Sequence, residues 1–230
     1  MSNELAQKSI GELAPLIQSK QLSPVELTEQ VLANVEQFDG EINAYIAVQK
    51  EQALEAAAQA EQEIQSGNYR GALHGIPMAL KDILYFKDEK ATMGSSIHSE
   101  FVADFDATVV SKLKMAGVTF TGKLNMHEYA WGATTTNPHF GPCKNPWDLT
   151  KIPGGSSGGS GAAVASHMAI ASLGTVLGQG RARRALRARN AAARAGTSTE
   201  RHRRASHRSR RCGAHCTCCT RLLRRAHQSP

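Results

Sequence analysis

The chain has 230 residues, of which 41% are hydrophobic, and about 175 of them could bury a sizeable core if they formed a complete unit. Its formal net charge of +7 at pH 7 is the sum of two unlike segments. Residues 1–180 hold 12 basic and 19 acidic side chains, whereas residues 181–230 hold 15 arginines, no lysine and one acid, Glu200. The composition therefore excludes a uniformly basic protein, and the overall charge describes neither segment.

Cysteine use and the first residues predict a cytoplasmic protein. Cys143 is the single cysteine of the first segment, which is usual in a reducing compartment. The opening residues lack the basic start and apolar block of a secretory signal, and no run approaches the ~20 apolar residues of a membrane span. We therefore expect a cytoplasmic location and no membrane partner.

The first clear helix signal follows Ser23. Ser23-Pro24-Val25-Glu26 has the pattern of a capping box with proline at the first helical position. Apolar residues then recur at three- and four-residue spacing, which predicts a helix to about Phe38. Gly40 stands where a left-handed cap is expected.

Strand and helix signals alternate along the next eighty residues. Residues 44–48 predict a short strand, and the Ala, Glu and Gln run from Glu51 predicts a helix that ends at Gly67. Asp106 is the expected cap of a helix over 107–116, before a strand at 118–121. The alternation predicts an α/β layered core.

One lysine, Lys81, lies inside an apolar stretch that runs from Gly75 to Ile83. Burial of an ammonium group disfavours its charge, so the pKa would fall and the amine could act as a general base. The alternative places Lys81 at a strand end, with its charge in water or paired with Asp82. The sequence leaves both interpretations open.

A glycine- and serine-rich loop runs from Pro153 into an alanine-rich segment. Within residues 154–160, four glycines accompany three serines, an entropic cost that favours a prescribed conformation. A flexible linker is the alternative, but a linker has no reason to continue into the helix predicted from Ala162. A neutral lysine could deprotonate a serine of this loop, while backbone N–H groups stabilise an oxyanion, without metal or cofactor.

Four motifs together resemble the amidase-signature family in order and spacing. They are GIPMALKDI at 75–83, TGKLNMHEYAWG at 121–132, KNPWD at 144–148 and PGGSSGGSGAAVAS at 153–166. The resemblance covers residues 5–175. It implies a partial amidase-signature fold, with a mixed twisted sheet flanked by helices and the C-terminal part missing.

The resemblance also implies a Ser-Ser-Lys triad that cleaves a small-molecule amide through an acyl-enzyme, with no cofactor. Lys81 matches the base, and Ser156 matches the bridging serine, which the family holds through a cis peptide. Asn125 and Met126 match a loop near the family's active site, or they are structural. The surrounding glycine-serine loop comprises Gly154, Gly155, Ser157, Gly158 and Gly159.

The chain departs from the family where the nucleophilic serine is expected. Leu173-Gly174-Thr175 begins the corresponding segment, but Gly180 stands at the nucleophile's position. Glycine has no hydroxyl, so no acyl-enzyme can form there, and we expect this copy to be inactive on simple amides. We accordingly divide the chain into residues 1–175, the N-terminal part of an amidase-signature domain, and a non-family tail, residues 176–230.

The Arg-rich composition of the tail is typical of GC-rich DNA translated out of frame, and we expect disorder there. Nonspecific nucleic-acid binding through phosphate neutralisation is an alternative, although the tail has no aromatic residue to stack on bases. Zinc binding is a third possibility, disfavoured because two of the cysteines are adjacent. The candidate ligands are Cys212, His215, Cys216, Cys218 and Cys219.

Three functions follow in order. The first is a general amidase that hydrolyses a carboxamide. The second, within the same family, is the A subunit of a tRNA-dependent glutamyl-tRNA(Gln) amidotransferase, a glutaminase that would work with partner subunits. The third is a non-catalytic protein, which binds a ligand on half of the fold or nucleic acid through the tail.

Overall fold

The computed structural model describes residues 4–175. Helices and strands alternate through most of this part, and short 3-10 turns lie at Leu5–Gln7, Ser96–His98 and Glu128–Ala130. The helices are α1 Ile10–Gln18, α2 Pro24–Ile42, α3 Lys50–Gln65, α4 Thr108–Met115 and α5 Gly158–Ala165. The strands are β1 Tyr45–Val48, β2 Pro77–Lys81, β3 Thr119–Leu124, β4 Thr136–Asn137, β5 Gly141–Pro142 and β6 Ala171–Leu173.

Four strands form a mixed sheet in the order β1-β3-β2-β6, and β4 pairs with β5 in a separate small hairpin. Strand β2 lies between β3 and β6 and is parallel to both, whereas β1 is antiparallel to β3. In the β2–β3 register, Leu80 is opposite Lys123 and Lys81 is opposite Leu124. The predicted α/β fold with a mixed twisted sheet is confirmed.

Helices cover both faces of the sheet. One face carries Leu80 and Phe120, which pack in a cluster with residues of α1 and α2. The other carries Ala79 and Leu124, which pack with α5 and the segment after it. Because side chains alternate along a strand, each residue of β2 enters one layer or the other, and all five are buried. A lysine at the end of this strand is therefore removed from water.

The end of α2 differs from the sequence prediction. Helix α2 continues through Gly40, which is exposed within it, and ends at Ile42, with Asn43 as its cap in the left-handed conformation at φ of 56°. Asp39 explains the extension, because its Oδ1 accepts hydrogen bonds from the backbone N–H groups of Ala44 and Tyr45, at 2.7 and 3.2 Å. Asparagine tolerates the left-handed conformation well, so the helix does not need the glycine as its cap.

Asp106 does not cap α4, contrary to the prediction. Ala107 occupies the cap position and provides no side-chain hydrogen bond. The Asp106 carboxylate instead accepts from Lys114 Nζ at 2.7 Å and from the Lys87 backbone N–H at 2.8 Å. The cation from within the helix outcompetes the helix's own N–H groups for this acid.

Within residues 4–175, no helix is long and apolar enough to cross a membrane. The predictions made for the tail, including its boundary at residue 176, its disorder and its nucleic-acid and zinc alternatives, lie outside the described residues.

Candidate active site

Lys81 is the last residue of β2 and its side chain is 0% exposed. Its Nζ donates to Ser156 Oγ and to Thr175 Oγ1, both at 2.7 Å. Burial lowers the pKa of Lys81 to about 8, from 10.5. At pH 8 about half of this amine is therefore neutral and able to accept a proton, and at pH 7 about a tenth.

The glycine-serine loop approaches its neighbours too closely for larger side chains. A Cβ on Gly155 would lie 2.8 Å from Thr134 N, and one on Gly158 would lie 2.3 Å from Thr135 Oγ1. A Cβ on Gly159 would meet Ala44 O and Asn125 O, each at 2.5 Å. The peptide bond between Gly155 and Ser156 is cis. Close backbone approach thus accounts for three of the glycines in the motif.

Helix α5 begins inside the loop, at Gly158, rather than at the alanines that follow. The backbone N–H of Gly158 donates to Thr135 Oγ1, and that of Gly159 donates to Asn125 O, both at 3.0 Å. These bonds tether the start of the helix to the segment after β3, and they fix the loop from which Ser156 reaches Lys81.

Thr175 is a site residue that the sequence analysis treated only as the start of a family segment. Its backbone N–H donates to Ser157 Oγ at 3.1 Å, and Ser157 Oγ donates back to its carbonyl oxygen at 2.9 Å. This reciprocal pair holds Thr175 beside Lys81. Thr175 lies two residues after Leu173, which pairs with Leu80, the neighbour of Lys81 in β2. The position of Thr175 just after an apolar strand is the one sequence signal that could have indicated it.

Asn125 and Met126 are fully buried beside the loop. Asn125 Nδ2 donates to Asn43 O at 3.0 Å and to Gly141 O at 3.1 Å, so the side chain joins three segments. The next residue, His127, donates its backbone N–H to Ser156 O at 3.0 Å. Through these contacts, the segment from Asn125 to His127 supports the glycine-serine loop.

Asp82 does not pair with Lys81 but with a second buried lysine on the other face of the sheet. Lys123 Nζ lies 3.4 Å from Asp82 Oδ1 and donates to Leu84 O at 2.8 Å. The other carboxylate oxygen accepts from the backbone N–H of Thr92 at 2.9 Å and from its hydroxyl. Burial raises the pKa of Asp82 and lowers that of Lys123, and their mutual attraction opposes both shifts. The sequence analysis missed Lys123, because β3 is buried but contains threonine and glycine as well as apolar residues, so its pattern does not resemble the apolar stretch around Lys81.

Within residues 4–175, no group of three or more His, Cys, Asp or Glu side chains could hold a metal ion. Gly180, at the position expected for the nucleophile, lies outside the described residues.

Comparisons with known proteins agree on one family. The amidase family profile matches residues 26–179. The A subunit of glutamyl-tRNA(Gln) amidotransferase from Geobacter sp. (strain M21) is 45% identical over 175 residues, which are 76% of this chain and 36% of that protein. The same subunit from Geobacter metallireducens is 47% identical over 175 residues, with the same coverage.

Solved structures give the same result. A crystal structure of an amidase superposes with a TM-score of 0.68 at 34% identity, over 73% of this chain and 38% of that one. The glutamyl-tRNA(Gln) amidotransferase A subunit of Thermotoga maritima superposes with a TM-score of 0.59 at 34% identity, over 74% of this chain and 34% of that one. The chain thus spans about a third of the length of these relatives. The profile covers more than half of the chain, so the chain belongs to the amidase family.

Proposed function

We propose that this chain carries the proton-transfer part of a serine-dependent amide hydrolase, with Lys81 as the base and Ser156 as the relay. The observation that carries the proposal is the 2.7 Å contact between a fully buried amine and a buried hydroxyl. Among the described residues, the nearby carboxylate of Asp82 contacts Lys123 instead, so Lys81 is not held in its charged form by an acid. Desolvation then acts on this amine without opposition.

In the proposed cycle, neutral Lys81 accepts the Ser156 proton while Ser156 accepts the proton of an attacking serine. Reversal of these transfers delivers a proton to the departing amide nitrogen. The attacking serine would stand at the position occupied by Gly180. We therefore expect Lys81 and Ser156 to exchange protons, but we expect no acyl-enzyme at position 180 and no hydrolysis of simple amides.

The substrate class is a carboxamide, and a general amidase is the first candidate. The A subunit of an amidotransferase, which would release ammonia from the glutamine side chain for partner subunits in the cytoplasm, is the second. One observation favours it: the curated relatives cited above carry that name, at 45% and 47% identity. Binding of glutamine, but not of a simple aromatic amide, would support the second candidate over the first.

The test of the proposed base is the titration of Lys81 in the 230-residue chain. With isotopically labelled lysine, the NMR signal that disappears in Lys81→Met is expected to titrate with a pKa of about 8. Ser156→Ala is expected to shift this signal, because it removes one of the two hydroxyls at the amine. A Lys81 signal that titrates near the ordinary lysine value, or that ignores Ser156→Ala, would contradict the proposal.

A further inference from the structure

The hydroxyl of Ser156 is already placed as an activated nucleophile would be. A base within hydrogen-bond distance and an accessible carbon electrophile are what a serine needs to attack an acyl group. Lys81 provides the first, at 2.7 Å. We propose that Ser156 of this chain is itself acylated by activated esters, with Lys81 as its base. This inference rests on the proposed function, because both use Lys81 as the base.

Ser156 is the hydroxyl of the site best placed to react. Ser157 Oγ accepts a hydrogen bond from the backbone N–H of Thr175 and donates one to its carbonyl oxygen. Ser160 Oγ donates to Leu173 O at 3.2 Å. Thr175 Oγ1 shares the Lys81 contact, but it is a secondary hydroxyl on a branched carbon. Attack by the primary hydroxyl of Ser156 is less hindered.

The loop that carries Ser156 is exposed to solvent on one side. Ser156 itself is 5% exposed, yet the preceding Gly155 is exposed to solvent. A Cβ built on Gly154 would have no atom within 4 Å, so this side of the loop is open.

The leaving group decides which substrates react. Neutral Lys81 takes the Ser156 proton, a bond forms between Oγ and the acyl carbon, and the bond from that carbon to the leaving oxygen breaks. A p-nitrophenolate departs with the electron pair and needs no proton, and Lys81 then loses its proton to water. An amide nitrogen must be protonated before it leaves, and in the proposed cycle this requires the relay and a second serine. The expected substrates are therefore activated esters and not amides.

The experiment treats the 230-residue chain with p-nitrophenyl acetate, follows p-nitrophenolate release and maps acetylated peptides by mass spectrometry. We expect acetylation of Ser156, at a rate that rises with pH through about 8, the pKa of Lys81. Lys81→Met should slow it about 100-fold or more, as expected for loss of a general base. Ser156→Ala, which removes a single oxygen atom, should abolish the label at this site, while Ser160→Ala should leave it unchanged.

Hydrogen exchange of the variants shows whether the fold is retained, and Ser156→Ala keeps the test informative if Lys81→Met unfolds. Acetylation confined to Thr175 or to surface lysines would overturn the inference, as would Ser156 acetylation at the same rate in Lys81→Met. If Lys81 titrates near 8 but Ser156 is not acetylated, this inference fails and the proposed function stands. If Lys81 titrates near the ordinary lysine value, the proposed function fails.

Discussion

Two buried lysines, one on each of two neighbouring parallel strands, differ in whether a carboxylate lies beside the amine. Lys81 is 0% exposed and Lys123 is 3% exposed, and burial lowers the pKa of both. Lys123 has the carboxylate of Asp82 at 3.4 Å, whereas Lys81 has two neutral hydroxyls at 2.7 Å. A carboxylate stabilises the charged form of an amine, and hydroxyls do so far less. Asp82 therefore makes Lys123 one half of an ion pair, whereas Lys81, which has no such carboxylate, is the lysine that we propose as a base.

The alternation of side chains produces this separation. Lys81 and Asp82 are consecutive, so they enter opposite layers, and the β2–β3 register places Lys123 on the same face as Leu80 and Asp82. A shift of one residue in either strand would place Lys123 on the face of Lys81 and leave Asp82 without a lysine. The sheet thus separates Lys81, the proposed base, from the carboxylate of the next residue, Asp82, because the two side chains enter opposite layers.

The largest expected effect comes from breaking the ion pair. Lys123→Met leaves Asp82 buried without its cation, and we expect the free energy of unfolding to fall by about 3–5 kcal/mol. Lys81→Met leaves no charge behind and removes an amine that is costly to bury, so we expect little loss or a small gain at pH 7. Urea unfolding followed by circular dichroism measures both.

The double variant Asp82→Asn/Lys123→Met is the control for this contrast. It removes both charges of the pair, so it is expected to be more stable than Lys123→Met. Equal losses in Lys81→Met and Lys123→Met would show that the two lysines are held alike, and the comparison would fail.

The pH dependence of stability should sharpen the comparison next. The pKa of Lys81 is 10.5 in the ordinary case and about 8 in the folded chain, so between these values the unfolded state binds more protons. Stability from this group therefore rises as the pH increases from about 8 to about 10.5, by on the order of 3 kcal/mol in total. Below both values it contributes no further change.

Subtraction of the Lys81→Met curve from that of the unmodified chain isolates this effect from the other titrating groups. The difference should grow steadily across the alkaline range. Two parallel curves would mean that Lys81 has the same pKa in the folded and unfolded chain.

The sequence revealed the features that depend on local pattern. The alternating elements predicted the layered fold, and the apolar surroundings of Lys81 and the glycine spacing around Ser156 indicated where chemistry is possible. The sequence carries these signals because burial and backbone conformation restrict which residue types can occupy each position.

The partners of these residues were not predictable in the same way. The pairing of Asp82 with Lys123 depends on the register between β2 and β3, which the residue pattern of either strand leaves open. The position of Thr175 depends on a reciprocal pair of hydrogen bonds with Ser157, which joins the glycine-serine loop to the segment after β6. The end of α2 depended on a carboxylate, Asp39, that captures the following backbone N–H groups. Each of these three features depends on a specific contact that the residue pattern of a single helix or strand does not specify.

A smaller effect tests whether the hydroxyls matter to the base. Thr175→Val removes one of the two oxygen atoms that accept a hydrogen bond from the Lys81 ammonium. The charged form loses a contact worth about 1 kcal/mol, so we expect the pKa of Lys81 to fall by about half a unit or more. The lysine NMR titration measures it, and Thr92→Val, which alters the Asp82 face, should leave the Lys81 pKa unchanged. A pKa that rises in Thr175→Val would contradict this account.

The smallest expected effect concerns a third buried base, His74, whose acid is partly solvated. His74 is 1% exposed, and its Nε2 lies 3.2 Å from Oε2 of Glu63, which is 20% exposed. Burial lowers the pKa of His74 from 6.5, and Glu63 opposes this shift. The neutral form is thus favoured in the folded chain, so the stability from His74 is fully present above 6.5 and is lost as the pH falls below it.

Glu63→Gln removes the acid while keeping the side-chain shape, and it should lower the His74 pKa further. Because solvent screens Glu63, the change in free energy should stay below about 1 kcal/mol, well under the loss in Lys123→Met. Imidazole proton shifts measured against pH report it directly, with His98, which packs against Phe101 and Tyr129, as the unaffected control. A larger loss of unfolding free energy in Glu63→Gln than in Lys123→Met would contradict this order. It would mean that the burial of the carboxylate does not determine how strongly an acid stabilises a buried cation.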